Sequence, residues 1–271
     1  MSNERAPKAL KDSIRSDPDQ WTEHLIEPTT LEAFFKDCTG MLATGCGHRE
    51  QREMADAVIG DIDDVWAAIE PDQPSYACHK GCSWCCHQNV MVTFPELLKV
   101  LDFLADPREN RTRDGLRKHL DERAGEIAGK TSNQRFDEQI ACAFLEQGSC
   151  SIHPARPLQC RGGFSEDDNY CRDLLEDRET TQDAIHNGAE AGKFLLAPKM
   201  IYNSAQLAMA SALKDAELDG RAYELTMAVA ILLEFLEADR LGELTPDDLS
   251  PAALTKIDDN FATPPSDSNN R

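Results

Sequence analysis

The sequence predicts a mainly α-helical protein: a helical single domain around a cysteine-rich centre, with a short β-hairpin. Apolar residues recur at helical spacing along most of the chain, whereas only two short segments have the pattern of strands. Eight of the ten cysteines fall between residues 78 and 171. We expect one domain over residues 31–257 and loose tails over 1–30 and 258–271, because both ends are polar and have few apolar anchors.

The helices are predicted from apolar spacing. A helix over about 49–70 has apolar residues 4, 4, 3 and 4 positions apart, which places them on one face. These residues are Met54, Val58, Ile62, Val65 and Ile69. A second helix begins at the capping box Thr93-Phe94-Pro95-Glu96. Further helices are predicted around 116–127, 170–186, 200–216 and 225–236, of which the last has the strongest apolar face.

Two segments favour strands. Residues 89–92, which follow the first cysteines, include two β-branched valines, Val90 and Val92. Residues 140–145 are predicted to turn through 146–149 and return over 150–152 as a hairpin.

The charge balance argues against several classes of partner. There are 28 Lys and Arg against 49 Asp and Glu, a net charge of −21, which disfavours nucleic acid and anionic membranes. The most apolar window, 225–236, includes Glu234 and is too short to span a bilayer. The first residues are polar where a secretory signal would be apolar. We therefore expect a cytoplasmic protein, with no nucleic-acid or membrane partner and with reduced thiols.

Clustered cysteines in a reducing compartment indicate metal ligands or redox chemistry. Cys78, Cys82, Cys85 and Cys86 form a tight first group, in which one turn of chain can point the sulfurs at a common centre. The second group is more widely spaced and can converge only if the hairpin folds it over the first. Its members are Cys142, Cys150, Cys160 and Cys171. We predict that all eight are metal ligands and that each sulfur of the second group lies within about 4–8 Å of a sulfur of the first.

These motifs resemble a known family. The segments 78–86, 141–145 and 150–161 are similar to the YkgJ-like cysteine cluster proteins, the CxxCxxCC family of zinc- or iron-chelating proteins. The resemblance implies a metal site on the eight central cysteines. It leaves the reaction open, since some relatives are labelled iron-sulfur oxidoreductases and a similar cluster occurs in flagellin lysine methylases.

A group of thiolates needs positive charge nearby, because a four-thiolate zinc site carries a charge of about −2. Lys80, Arg156 and Arg161 lie beside the cysteines in sequence and are predicted to support the cofactor from outside the ligand set. Arg172 is a further candidate. For Lys80 and Arg172 the alternative is ordinary surface ion pairing.

Other residues near the clusters are not expected to be metal ligands. His79, His87 and His153 are unnecessary as ligands where eight thiols are available. Cys38 and Cys46 lie outside the matched segments and are expected to be free thiols. The first three cysteines of the first group also have the spacing of a radical-SAM loop, but the helical periodicities disfavour the parallel strands of that class.

Two functions stay open at this point. The first is binding of an iron-sulfur cluster (4Fe-4S) or iron, for redox chemistry or a cluster-dependent modification. The adjacent pair Cys85-Cys86 favours it, since neighbouring thiols suit two adjoining centres or a polynuclear cluster. The alternative is a zinc-stapled structural domain whose helical faces bind a protein partner. The sequence assigns no catalytic residue.

Overall fold

The computed structural model describes residues 28–106, 113–189, 192, 194–238, 240–245 and 247–253. These residues are mainly helical, which confirms the predicted fold class. Their α-helices are α1 (Pro28–Leu42), α2 (His48–Ile69), α3 (Phe94–Ala105), α4 (Arg113–Ile127), α5 (Ser132–Asp137), α6 (Leu158–Arg161), α7 (Asp168–Glu176), α8 (Arg178–His186), α9 (Leu196–Asp215) and α10 (Leu225–Glu237). The tails predicted at 1–30 and 258–271 lie outside the described residues, apart from 28–30, which begin α1.

The strands form two short antiparallel pairs. The hairpin predicted between 140 and 152 is present, but its strands are only β2 (Leu145–Glu146) and β3 (Ser149–Cys150). β1 (Met91–Thr93) begins and ends later than the predicted strand and pairs with β4 (Ala222–Glu224). No strand was predicted at β4, because three residues of chain carry too little pattern to be recognised before their partner is known.

Most predicted helices are found near their expected positions, and one is divided. The segment 170–186 forms α7 and α8, with Asp177 between them at φ −150° and ψ 75°. The Asp177 side chain accepts a hydrogen bond from the backbone N–H of Thr180 and thereby caps α8. Since Asp favours N-caps over helix interiors, this residue ends one helix and starts the next.

The described residues form two apolar cores, and the cysteine-rich segment contributes residues to both. The first is built by α1, α2 and α9 and includes Met54, Ile62 and Met209. The second is built by β1, α3, α4, β4 and α10 and includes Leu120 and Val229. The cores are joined where α2 packs on α3 and where α9 contacts β1. No helix in the described ranges is both long and apolar enough to cross a membrane.

Candidate metal centre

The first cysteine group lies on an irregular segment between α2 and β1. Gly81 has a φ of 96°, a left-handed conformation that favours glycine. The backbone N–H of Cys82 donates to the carbonyl of His79 at 3.0 Å, which closes a turn. A 3₁₀ helix, Trp84–His87, then carries Cys85 and Cys86. This tight path brings four thiols close together within nine residues of sequence.

The second group comes from one loop and three different elements. Cys142 precedes β2, Cys150 is in β3, Cys160 is in α6 and Cys171 is in α7. The backbone N–H of Cys142 donates to the carbonyl of Cys86 at 2.7 Å, which ties the second group directly to the first. α7 packs against the 3₁₀ helix that carries Cys85 and Cys86.

Ser165 connects the first cysteine of the first group to the last cysteine of the second. Its backbone N–H lies 3.3 Å from the Sγ of Cys78, and its side chain interacts with the thiol of Cys171. These two cysteines are far apart in sequence, so the loop before α7 brings them to the same place.

The thiols lie near enough to affect one another electrostatically. Burial raises the pKa of Cys78, and the neighbouring Cys85 raises it further. Burial also raises the pKa of Cys142 to about 11. The pKa of Cys85 is lowered, because Cys86 hydrogen-bonds to it and Arg156 adds positive charge. Bringing several thiolates together without a cation is unfavourable, because their like charges repel one another.

The three cations predicted beside the cysteines have different environments. Arg156 lowers the pKa of the Cys85 thiol by its charge, after the larger effect of Cys86. Its Nε is buried and has no hydrogen-bond partner. Arg161 instead donates to the backbone carbonyls of Arg156 and Pro154 and forms an ion pair with Asp63 at 2.6 Å. Arg161 thus stabilises the backbone of the segment before Cys160.

Lys80 and Arg172 are both at the surface. Lys80 is exposed. Arg172 donates to Asp173 and Asn169, its neighbours on α7. The ion pair to Asp173 is of the exposed kind that contributes little to stability.

The remaining candidates interact with groups other than the eight thiols. A ring nitrogen of His79 lies 2.9 Å from the carbonyl of Ala77, and one of His87 lies 3.3 Å from the carbonyl of Trp84. His153 is exposed. Outside the cluster, Cys38 is fully buried in the first core, whereas Cys46 is exposed.

Several positioning residues had no functional signal in the sequence. Gln159 accepts from the backbone N–H of Met91 at 2.6 Å and donates to the carbonyl of Asn89 at 3.2 Å, so the residue before Cys160 is tied to the chain that follows the first group. Arg135 and Glu224 form a buried ion pair whose charges act on Cys142. A glutamine or an ion pair is recognisable as important only once its distant partner is known.

Glu96 was predicted only as a helix-capping residue. It does cap α3, accepting hydrogen bonds from the backbone N–H and the hydroxyl of Thr93 at 2.8 Å. It also accepts from the backbone N–H of Leu158 and from the side chain of Gln206, both at 2.9 Å. One buried carboxylate therefore fixes the start of α6, the helix that carries Cys160, against α3 and α9.

The donor set fits a thiophilic metal in its chemistry. Thiolates are ligands for zinc, for iron-sulfur clusters and for iron, and residues 78–171 contain eight free cysteines. Among the described residues, no three Cys, His, Asp or Glu side chains are placed as a closed metal site.

Comparison with protein families gives the class of this region. Residues 77–181 match the family CxxCxxCC, described as a "putative zinc- or iron-chelating domain". The resemblance expected from the cysteine motifs is therefore confirmed over this segment. The matched residues include all eight clustered cysteines. Comparison with curated proteins found no match, and comparison with solved structures found none either.

Proposed function

We propose that the protein binds iron through its CxxCxxCC domain, as an iron-sulfur cluster or as iron held by thiolates. The observation that supports this most directly is the presence of eight free cysteines within residues 78–171, which exceeds the four that one structural zinc ion needs. The ligands would be Cys78, Cys82, Cys85, Cys86, Cys142, Cys150, Cys160 and Cys171. An iron-sulfur cluster held there would supply one-electron redox chemistry.

The surrounding residues would favour the metal-bound form of the thiols. Arg156 offers positive charge to Cys85 together with a buried N–H that has no partner. Hydrogen bonds and positive charge next to ligating sulfurs stabilise the thiolate and tune the metal. Lys80 and Arg161 are the other two cations proposed from the sequence. Arg161 would act indirectly, because it donates hydrogen bonds to backbone carbonyls of the preceding turn.

A zinc-bound structural or protein-interaction domain is the second candidate. It is favoured by the two helical cores to which the cysteine-rich segment contributes, because a structural zinc could hold the central loops to such a scaffold. Both candidates require reduced thiols and fit a cytoplasmic protein. With a net charge of −21, neither is expected to bind nucleic acid.

The test is the composition of the full chain purified without oxygen. Visible absorption, iron, acid-labile sulfide and zinc are measured per chain. A coloured protein with iron and sulfide supports the iron-sulfur proposal, and a coloured protein with iron but no sulfide supports thiolate-bound iron. A colourless protein with zinc alone supports the second candidate and overturns the first. A chain that binds neither metal, even after reconstitution, overturns both.

A further inference from the structure

We propose that the groove between α7 and α8 is the docking site for a basic segment of a partner protein that carries apolar anchor residues. The groove has a volume of about 430 Å³, which lies within the range of sites that hold ligands. Its lining includes Asp167, Asp173, Glu176 and Asp177 together with Tyr170 and Ile185. The proposal goes beyond metal binding and does not depend on it.

The charge of the groove favours a basic occupant. Between residues 166 and 183 there are eight Asp and Glu against two Arg. Arg172 pairs with Asp173 at 2.8 Å, and Arg178 pairs with Asp137 of α5 at 3.0 Å. Ion pairs with this much exposure contribute little, so the carboxylates of the groove are free to exchange them for the cations of a partner. Complementary charge of this kind steers association and selects basic partners.

Apolar side chains beside the groove provide an anchor for the occupant. The ring of Phe194 contacts that of Tyr170, with the ring centroids 5.9 Å apart, and Phe194 is 48% exposed. An antiparallel bridge between Phe194 and Ser165 holds the backbone in this place. Leu196 follows and is also exposed. An exposed aromatic ring next to a groove is a typical anchor point of an interface.

The helix α8 has a surface that the described part of the chain leaves uncovered. The structure describes all nine of its residues, and none of them is buried. The helix packs on α7, and its two apolar residues, Ala184 and Ile185, line the groove. Because a helix this short depends on packing for its stability, a segment laid along the groove would stabilise α8 by covering Ile185.

The helix α7 lies between the groove and the cysteine-rich region. Tyr170 and Asp173, three positions apart, line the groove from one face of α7. Cys171 and Leu175, four positions apart, lie on the other face, where Leu175 is buried. A partner in the groove would therefore lie about one helix diameter, about 10 Å, from the thiol of Cys171.

Binding of a synthetic peptide to the full chain tests the proposal. The probe is a fluorescein-labelled dodecapeptide with Lys and Leu at helical spacing, and fluorescence anisotropy follows its binding at about 50 mM salt. We expect saturable binding that weakens at about 200 mM salt, because the attraction is electrostatic. A control peptide with Ser in place of each Leu should bind about tenfold more weakly, since it lacks the apolar anchors.

Paired charge variants locate the site. Asp173→Asn/Glu176→Gln removes two carboxylates of the groove and should raise the Kd of the probe about fivefold. Asp121→Asn/Glu122→Gln removes two exposed carboxylates of α4 and is the matched control, with an expected change of less than about twofold.

Paired apolar variants test the anchor. Phe194→Ala should raise the Kd about tenfold. Leu207→Ala, at another exposed position on α9, is the control and should leave the Kd within about twofold of the wild type.

Equal weakening by the groove variants and their controls, with helical circular dichroism intact, would show that only the net charge attracts the peptide and would overturn the proposal. The absence of saturable binding to the wild type would do the same. A wild-type dimer in sedimentation that is lost in Phe194→Ala would assign the groove to a second copy of this chain instead. Should Phe194→Ala fail to fold, the charge variants and the Ser peptide decide. Metal content is measured separately, so none of these outcomes bears on the proposed function.

Discussion

At the scale of single residues, Glu96 shows how much of this fold depends on one buried acceptor. Its side chain is 1% exposed and accepts hydrogen bonds from three different elements. Burial raises the pKa of the Glu96 carboxyl, and the donors from Thr93 and Gln206 act in the opposite direction. Removing the acceptor would leave these buried donors without partners, which costs more than the bonds themselves contribute.

We expect Glu96→Ala to lower the free energy of unfolding by about 2–4 kcal/mol, since each buried donor left unsatisfied costs about 1–3 kcal/mol. Urea denaturation followed by circular dichroism measures the change. Glu122→Ala, at an exposed position of α4, is the control and should change stability by less than about 0.5 kcal/mol. Equal effects of the two substitutions would contradict the role of Glu96 in holding α3, α6 and α9 together.

The two cysteines outside the cluster should differ in reactivity. Burial raises the pKa of Cys38 to about 12, so at pH 8 it is almost entirely in the unreactive thiol form. Cys46 is exposed. Peptide mapping after brief iodoacetamide treatment should find Cys46 modified well before Cys38, and the difference should disappear in urea. Early modification of Cys38 in the native protein would contradict its place in the first core.

At the scale of elements, the hairpin that carries Cys150 depends on its two-residue turn. Gln147 and Gly148 have φ values of 49° and 75°, as a type I′ turn requires at both central positions. The pairing of Leu145 with Cys150 then sets the place of the thiol. Glycine at the second position avoids the strain that a side chain would suffer there.

Gly148→Val should destabilise this turn by about 1–2 kcal/mol, because a β-branched residue is strained at positive φ, and should weaken metal binding through Cys150. The denaturation midpoint and the zinc affinity, obtained by competition with a chromophoric chelator, measure the two effects. Gln147→Gly is the matched control, since it removes a side chain from the same turn without adding strain. If both variants lose zinc affinity alike, turn geometry does not position Cys150.

At the scale of the whole molecule, the cysteine-rich segment contributes residues to two apolar cores. In the part of the chain that the structure describes, the first core, from α1, α2 and α9, includes none of the eight clustered cysteines. Three of them, partly buried, pack against the second core there. Each fully buried Leu, Ile or Val contributes about 1.5–3 kcal/mol, so both cores have a source of stability other than metal.

Chelation of the metal should therefore leave most of the helical circular dichroism while loosening the central loops. Limited proteolysis should then cut the first cysteine segment, around 78–87, faster than in the loaded protein. Chelator saturated with metal beforehand is the control. Complete loss of helical signal on chelation would show that the metal organises the whole fold.

The sequence by itself determined the local structure of this protein. The helical class, the capping box at Thr93 and Glu96, the hairpin and the CxxCxxCC motifs were all predictable, because each depends on residues a few positions apart. The one predicted helix that proved to be two was interrupted by Asp177, a local signal that apolar periodicity does not detect.

Only the tertiary structure decided which distant residues meet. The pairing of β1 with β4, the reach of Glu96 to Leu158, and the difference between Arg156 beside the thiols and Arg161 on backbone carbonyls were not predictable. Apolar spacing shows which face of a helix is buried but not which helix covers it. The partners of a cation or a carboxylate depend on that packing, so they could not be read from the sequence.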